Sequence, residues 1–246
     1  DQRARQRVHA GGAALVVLGS VEQILEPVFK PVAAPSRTND PVRTMAGILA
    51  MATKEFAAKG LSGARIDAIA EATHTSKRMI YYYYGSKEGL YVAVLEESYR
   101  RMRQIEGQLQ LEDMEPEAAL RRLVEFTFDR HADNEDFIRL VMNENIEQGS
   151  YLAQSKTIQQ LNVPAIQAIR QLYDRGVQQG VFRPGLDPVD IHASISALAF
   201  FNVSNRHTFG LIFKDKVQNA QSDARRASIT EMVVRLPSAP AGMKIA

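Results

Sequence analysis

The chain has 246 residues, 45% of them hydrophobic and 24% charged, a composition expected of a globular protein with one good core or two small ones. It contains no cysteine, which excludes disulfides and thiolate metal sites and suits a cytoplasmic protein. The net charge of +2 is too small to point to a polyanion, but it is unevenly spread: residues 41–103 carry ten Lys/Arg against six Asp/Glu, and residues 104–246 carry fifteen against eighteen.

Residues 1–40 open with "RARQR" before the apolar "AGGAALVVLGSV", an order that imitates a signal peptide. The apolar run is short, glycine-interrupted and followed by Glu22, and "PVFKPVAAPSRTNDP" has the composition of a Pro-rich linker. The segment is therefore expected to be a disordered or linker extension, with a basic arm of Arg3, Arg5 and Arg7 reaching a DNA groove as the alternative. No apolar run reaches about 18 residues, so no membrane span is predicted.

From Thr44, the residues Met45, Ile48, Leu49, Ala52 and Phe56 recur at helical spacing and stop at Lys59-Gly60. "ARIDAIAEAT" predicts a two-turn helix with Ile66, Ile69 and Ala70 inward, and Thr73-His74-Thr75 a short break. "SKRMIYYYYGSKEGL" looks like a strand by composition, because tyrosine favours strands. Its flanks favour a short helix: Ser76 suits an N-cap, Gly85 a C-terminal cap, and Ser86-Lys87-Glu88 a new helix start. Wound as a helix, Tyr81 to Tyr84 point roughly 100° apart, so no single core can bury all four. Tyr84 is expected to pack inward with Ile80, and the others to meet a second partner. A phenol can bond a phosphate oxygen, so a nucleic-acid backbone suits that role. "KEGLYVAVLEESYRRMRQ" then carries Tyr91, Val94, Leu95, Ser98 and Met102 on one stripe, with Arg100, Arg101 and Arg103 at the negative helix end.

Beyond residue 104 the periodicity remains helical in "PEAALRRLVEFTFDRH", "NEDFIRLVMNENIEQ", "TIQQLNVPAIQAIRQLYDRGVQQG", "DPVDIHASISALAFFNVSNRHTF" and "ARRASITEMVVRL". Pro164 is expected to kink the third of these or to mark its start. The fold class is therefore all-α: an N-terminal three-helix helix-turn-helix domain at 41–103, a C-terminal helical bundle at 104–236, and a flexible tail at 237–246.

Two short helices about a tight turn are what a helix-turn-helix needs, its second helix entering the major groove. Ala70 is small at the crossing, Ile66, Ile69 and Ile80 pack, and His74 must take the positive-φ turn position. With these residues in place, "IDAIAEATHTSKRMIYYYYGSKEGLYVAVL" resembles the DNA-binding domain of the TetR family of bacterial regulators over residues 44 to about 100. The match runs through Ile69-Ala70, Ser76-Lys77, Ile80-Tyr81-Tyr82 and Lys87-Glu88-Gly89-Leu90. It departs at His74 for the turn glycine, Arg78-Met79 for Gly-Thr, Tyr83-Tyr84 for His-Phe, and Ala64 for a capping Thr, leaving Ser62 as the expected cap. The resemblance implies DNA contacts from Arg65, Lys77, Arg78, Tyr81, Tyr82, Tyr83 and Lys87, with Lys77 and Arg78 at base edges and the tyrosines and Lys87 at phosphates or thymine methyls. An arginine can pair bidentately with guanine, which fits that role for Arg78.

The resemblance also implies a small-molecule ligand and a homodimer built on helices 157–179 and 187–210, with Leu172, Ile195, Leu198 and Phe201 as candidate contacts. Within "FIRLVMNENIEQ", Asn143, Glu144, Asn145 and Glu147 cover most of the helix circumference, so at least one should point inward. Candidate ligand contacts are Phe126, Arg130, Met142, Asn143, Glu147, Phe200 and Asn202. Gly-x-Gly-x-x-Gly, Gly-x-Ser-x-Gly and His-Glu-x-x-His are missing from the sequence, and the five histidines show no metal spacing. The expected function is a ligand-responsive repressor of a palindromic double-stranded DNA operator, with no cofactor, metal or catalytic residue. The alternative is a DNA-bound regulator, adaptor or architectural protein without a small ligand.

Overall fold

A computed structural model describes residues 40–214 and 223–239, so the proposed arm at Arg3, Arg5 and Arg7 and the end of the tail lie outside the described residues. The elements are α1 (Pro41–Gly63), α2 (Ile66–Ala72), α3 (Lys77–Tyr84), α4 (Lys87–Glu106), α5 (Pro116–Asp133), α6 (Glu135–Ile146), α7 (Lys156–Gln178), α8 (Pro188–Ser204), α9 (Arg206–Phe213) and α10 (Asp223–Arg235). Short 3-10 turns at Gly107–Leu109 and Leu111–Asp113 join α4 to α5. The fold is all-α, and among the described residues the only β pairing is an isolated antiparallel bridge between Phe182 and Ser238.

Two helix boundaries differ from expectation, and one of the two readings of Pro164 is removed. The first helix begins at Pro41 rather than Thr44, because the Asp40 carboxylate accepts from the Val42 N–H at 3.0 Å and Pro41 starts with its φ already fixed. Pro164 does not start a helix: α7 already runs from Lys156, capped by Ser155, and continues through the proline. The segment 187–210 is not one helix but two, since the chain turns at Asn205 between α8 and α9. The predicted stop at Lys59-Gly60 corresponds to a break in α1, where Gly60 takes φ 67° before a last turn.

The interior has two main parts. Ile48, Ala52 and Phe56 of α1 meet Ile66, Ile69 and Ala70 of α2, Ile80 of α3, and Leu90, Tyr91, Val94 and Leu95 of α4. Phe56 and Tyr91 pack edge to face with centroids 5.1 Å apart, and burying a side chain of this size contributes roughly 1.5–3 kcal/mol. The second core joins Leu120, Leu123, Val124 and Phe128 of α5 to Ile169 and Leu172 of α7, Ile191 and Ile195 of α8, and Ile229 and Val233 of α10. Leu172 and Ile195 are 3% and 1% exposed inside this core, which removes them as surface contacts for a second copy, while Phe201 stays exposed. Burial within the chain and burial between chains share the same periodicity, so the sequence pattern does not separate them.

Helix α6 is tied to α1 by polar bonds. Arg139 donates from Nε to the Ala57 carbonyl at 2.8 Å and from Nη2 to that of Ala58 at 3.4 Å, and Asn143 donates to the Phe56 carbonyl at 3.3 Å. These carbonyls end the regular part of α1, where a helix runs out of its own donors.

Candidate nucleic-acid interface and the bundle cavity

Local chemistry fixes the α2–α3 turn. The Thr75 N–H reaches the Ala70 carbonyl at 3.0 Å, and the chain reverses through His74 at φ 51°, the left-handed position the turn requires. Ser76 accepts from the Met79 N–H at 3.2 Å and starts α3. Gly85, at φ 75°, ends it, and Ser86 accepts from the Gly89 N–H at 2.9 Å to begin α4. A Cβ on Gly89 would stand 2.1 Å from the Tyr84 carbonyl oxygen, so α3 and α4 approach as closely as they do only over glycine.

The expected cap at Ser62 is not formed. Residues 61–63 are still in the last turn of α1, and the N-cap position of α2 is taken by Arg65, whose side chain makes no capping bond. The Arg65 N–H instead donates to Glu55 Oε1 at 3.0 Å. The hydrogen bond from Lys59, against a smaller opposing effect of burial, leaves the Glu55 carboxyl below its ordinary range.

The candidate DNA contacts differ in how exposed they are. Arg65, Lys77 and Arg78 are exposed. Lys77 pairs with Asp67 across the turn, and Arg78 pairs with no described side chain. Tyr82 is 78% exposed and Tyr81 is also on the surface, while Tyr83 is half-buried against the α1–α4 core and stacks edge-on to Tyr82 at 5.4 Å. Tyr84 turns inward as its helical position demands: its hydroxyl donates to the Met45 carbonyl at 3.2 Å, and burial raises its phenol above the ordinary value. Lys87 donates to the Ser62 carbonyl at 3.3 Å, joining the start of α4 to the α1–α2 connection. This surface offers hydrated cations and phenols whose desolvation cost on meeting phosphate is small.

The bundle holds a cavity of about 580 Å³ between α4, α5 and α7. Leu123, Leu161, Pro164, Ala165 and Ile169 give it apolar walls, and Arg103, Gln104, Glu106 and Gln160 bring polar atoms to it. None of the seven candidate ligand residues lines it. Met142 and Asn143 line a second cavity of about 280 Å³ beside the end of α1. Phe126, Arg130 and Phe200 are half-buried, Asn202 is buried, and Glu147 is exposed beyond the end of α6. The inward residue of the "NENIE" stretch is Glu144, 2% exposed, whose Oε2 accepts from the Leu152 N–H at 2.8 Å and thereby orders the turn into α7. Burial, with the Glu144 carboxylate second, raises the phenol of neighbouring Tyr91.

Sequence reasoning did not place Arg103 or Glu106 at a cavity. The sequence puts Arg103 at the negative end of α4, yet it lies four residues after Tyr99, which packs inward at 5.2 Å from Phe137, and that spacing is the available signal.

An exposed recognition helix behind a tight turn, carried on an all-α bundle, defines a helix-turn-helix DNA-binding regulator. Residues 48–94 match the family described as bacterial regulatory proteins, tetR family, and residues 116–234 match the tetracyclin repressor-like C-terminal domain. Over 182 residues, 74% of this chain and 86% of the relative, the sequence is 35% identical to the HTH-type transcriptional repressor NicS of Pseudomonas putida. It is 33% identical over 139 residues, 56% of this chain and 69% of the relative, to the HTH-type transcriptional repressor SCO4008 of Streptomyces coelicolor. Among solved structures, the transcriptional regulator SCO4942 of Streptomyces coelicolor superposes with a TM-score of 0.60 at 28% identity, covering 80% of this chain and 99% of that one. The chain belongs to the TetR family of bacterial regulators, and it is not an enzyme.

Proposed function

We propose that this protein is a cytoplasmic transcriptional repressor that binds a two-fold symmetric operator as a homodimer and leaves it when a small molecule enters the bundle. The observation that carries this reading is α4. Its first residues cap against α3 and hold the α1–α2 connection through Lys87, and its last turns contribute Arg100, Arg103, Gln104 and Glu106 to the larger cavity. A 20-residue helix spans about 30 Å and moves as a rod, so a ligand that shifts its far end shifts α3 as well. The Arg139 and Asn143 bonds from α6 to α1 give the bundle a second grip on the same unit.

In the operator complex, Lys77 and Arg78 read base edges. Arg65, Tyr81, Tyr82, Tyr83 and Lys87 hold phosphates or thymine methyls. A second copy covers the apolar side chains that α8 and α9 leave outside, Phe201, Phe209 and Phe213, whose rings contact one another edge to face and tilted at 5.3 and 4.6 Å. The two α3 helices then address half-sites about one helical turn apart or slightly more. The ligand acts by binding better to a state with mis-spaced helices, and a few kcal/mol of preference is enough to empty the operator.

Selection of bound sites from random duplexes with the purified protein tests this reading. An inverted repeat is expected, together with repression of a reporter that carries it. Recovery of isolated half-sites or of no shared sequence would contradict the dimeric repressor.

A further inference from the structure

Around the end of α4 and the neighbouring part of α5, arginine donors are buried without acceptors among the described residues. Among the described residues Arg103 has one carboxylate partner, Glu106, while its buried Nε–H has none. A guanidinium brings five N–H donors, and here Nη1 meets Glu106 while the buried Nε–H is left over. Buried and unpartnered as well are Arg130 Nε and His131 Nδ1, from neighbouring positions on α5. His131 is closed in by Phe137 and Phe200, each with its ring centroid 6.3 Å away. His192 of α8 is near enough to feel Arg103: burial first, and then the Arg103 charge, lowers both histidines to about 4. The two rings are therefore neutral at ordinary pH, and the local potential is set by Arg103.

Buried groups in this condition are costly unless something satisfies them. Arg103 also lines the 580 Å³ cavity, whose volume falls in the range of small-molecule sites, about 300–1,000 Å³. We propose that this cavity binds a small organic monocarboxylate, its apolar body against Leu123, Leu161, Pro164 and Ile169 and its carboxylate on the Arg103 guanidinium. This rests on the ligand-responsive reading above and names the chemical class of the ligand. A cationic ligand would face both Arg100 and Arg103 and find Glu106, which is already paired and whose burial raises its carboxyl above the usual range, toward the neutral form, and Glu112, which is exposed to water. A neutral ligand would add no charged acceptor to the one that Glu106 already supplies. The carboxylate matches the guanidinium fork in shape as well as charge.

The test is calorimetric titration of the full chain with phenylacetate, 4-hydroxybenzoate and octanoate, each beside its own primary amide and the corresponding amine. At least one acid is expected to bind, with its amide roughly 10- to 100-fold weaker and its amine silent. Arg103→Met should reduce acid binding to the level of the amide, and Arg103→Lys should recover part of it. Ala168→Phe, at an exposed position of the cavity lining, should block all binding by filling the cavity, with the melting temperature confirming that each variant folds. Amides binding as tightly as acids, an amine binding, no acid binding, or acid binding indifferent to Arg103 would each overturn the proposal. Operator affinity is read separately. An acid that binds through Arg103 but leaves operator affinity unchanged upholds the ligand class and rejects the induced-release reading. Release by an amide or amine with no acid bound does the reverse.

Discussion

The α1–α4 head and the α5–α10 bundle use their cations in opposite ways. In the head, Arg65, Lys77 and Arg78 stand in water, and the one ion pair among them, Lys77 to Asp67, is exposed on both sides. Such a pair is worth little and exchanges readily for a phosphate. Where the far end of α4 meets the bundle, Arg103 of α4 and Arg130 of α5 bury donor atoms, and His131 and His192 are enclosed and neutral. An exposed cation needs no internal reason to be present, since water solvates it until a polyanion arrives. A buried one carries a standing desolvation cost, so it marks where a partner belongs.

This contrast can be broken experimentally at several levels. The largest effect is expected from Phe56→Ala, which empties the centre of the head beside Tyr91 and should cost about 3–5 kcal/mol in urea unfolding, with loss of DNA binding. Acid should act next, and on the bundle. His131 ionises at about 4 in the fold against 6.5 when unfolded, so stability is complete above about pH 6.5 and falls as pH drops and the unfolded chain takes up protons that the fold refuses. By pH 5 the loss from His131 is about 2 kcal/mol, and less from the more accessible His192. His131→Phe should flatten that part of the pH profile, and an unchanged profile would show the ring is not buried neutral. In the head, Arg78→Ala should remove about 1–3 kcal/mol of preference at one base position. Lys87→Ala should instead weaken all sequences alike and lower the salt slope by about one charge. Loss of the Ser76 cap in Ser76→Ala is the smallest change, about 1 kcal/mol of stability seen as a lower melting temperature.

The head was legible in the sequence because its determinants are local. Ser76, Gly85 and Ser86 act on backbone groups no more than four residues away, and His74 reveals its role by sitting where a turn must have positive φ. Four consecutive tyrosines cannot share one face, which forecast that Tyr84 turns in while Tyr82 stays out. Even there the α2 cap was misassigned to Ser62, because the turn that continues α1 past Gly60 has no sequence mark of its own. The bundle's helices were legible by period, but not what they enclose. Whether Leu172 and Ile195 face their own chain or a second copy, and whether Arg103 ends a helix or lines a cavity, depend on contacts between distant segments such as α4, α5 and α7. Glu144 shows the limit: its spacing required one inward polar residue in the stretch, yet nothing local told that its partner would be the Leu152 amide rather than a ligand.

The most direct measurement is competition binding of the wild-type chain and Arg78→Ala to the selected inverted repeat and to unrelated duplex across a range of salt. Wild type is expected to prefer the repeat at every salt concentration, and Arg78→Ala to keep most of its affinity for unrelated duplex while losing preference at one position of each half-site. An unchanged base preference in Arg78→Ala, with all affinity still salt-sensitive, would mean that α3 does not read the major groove.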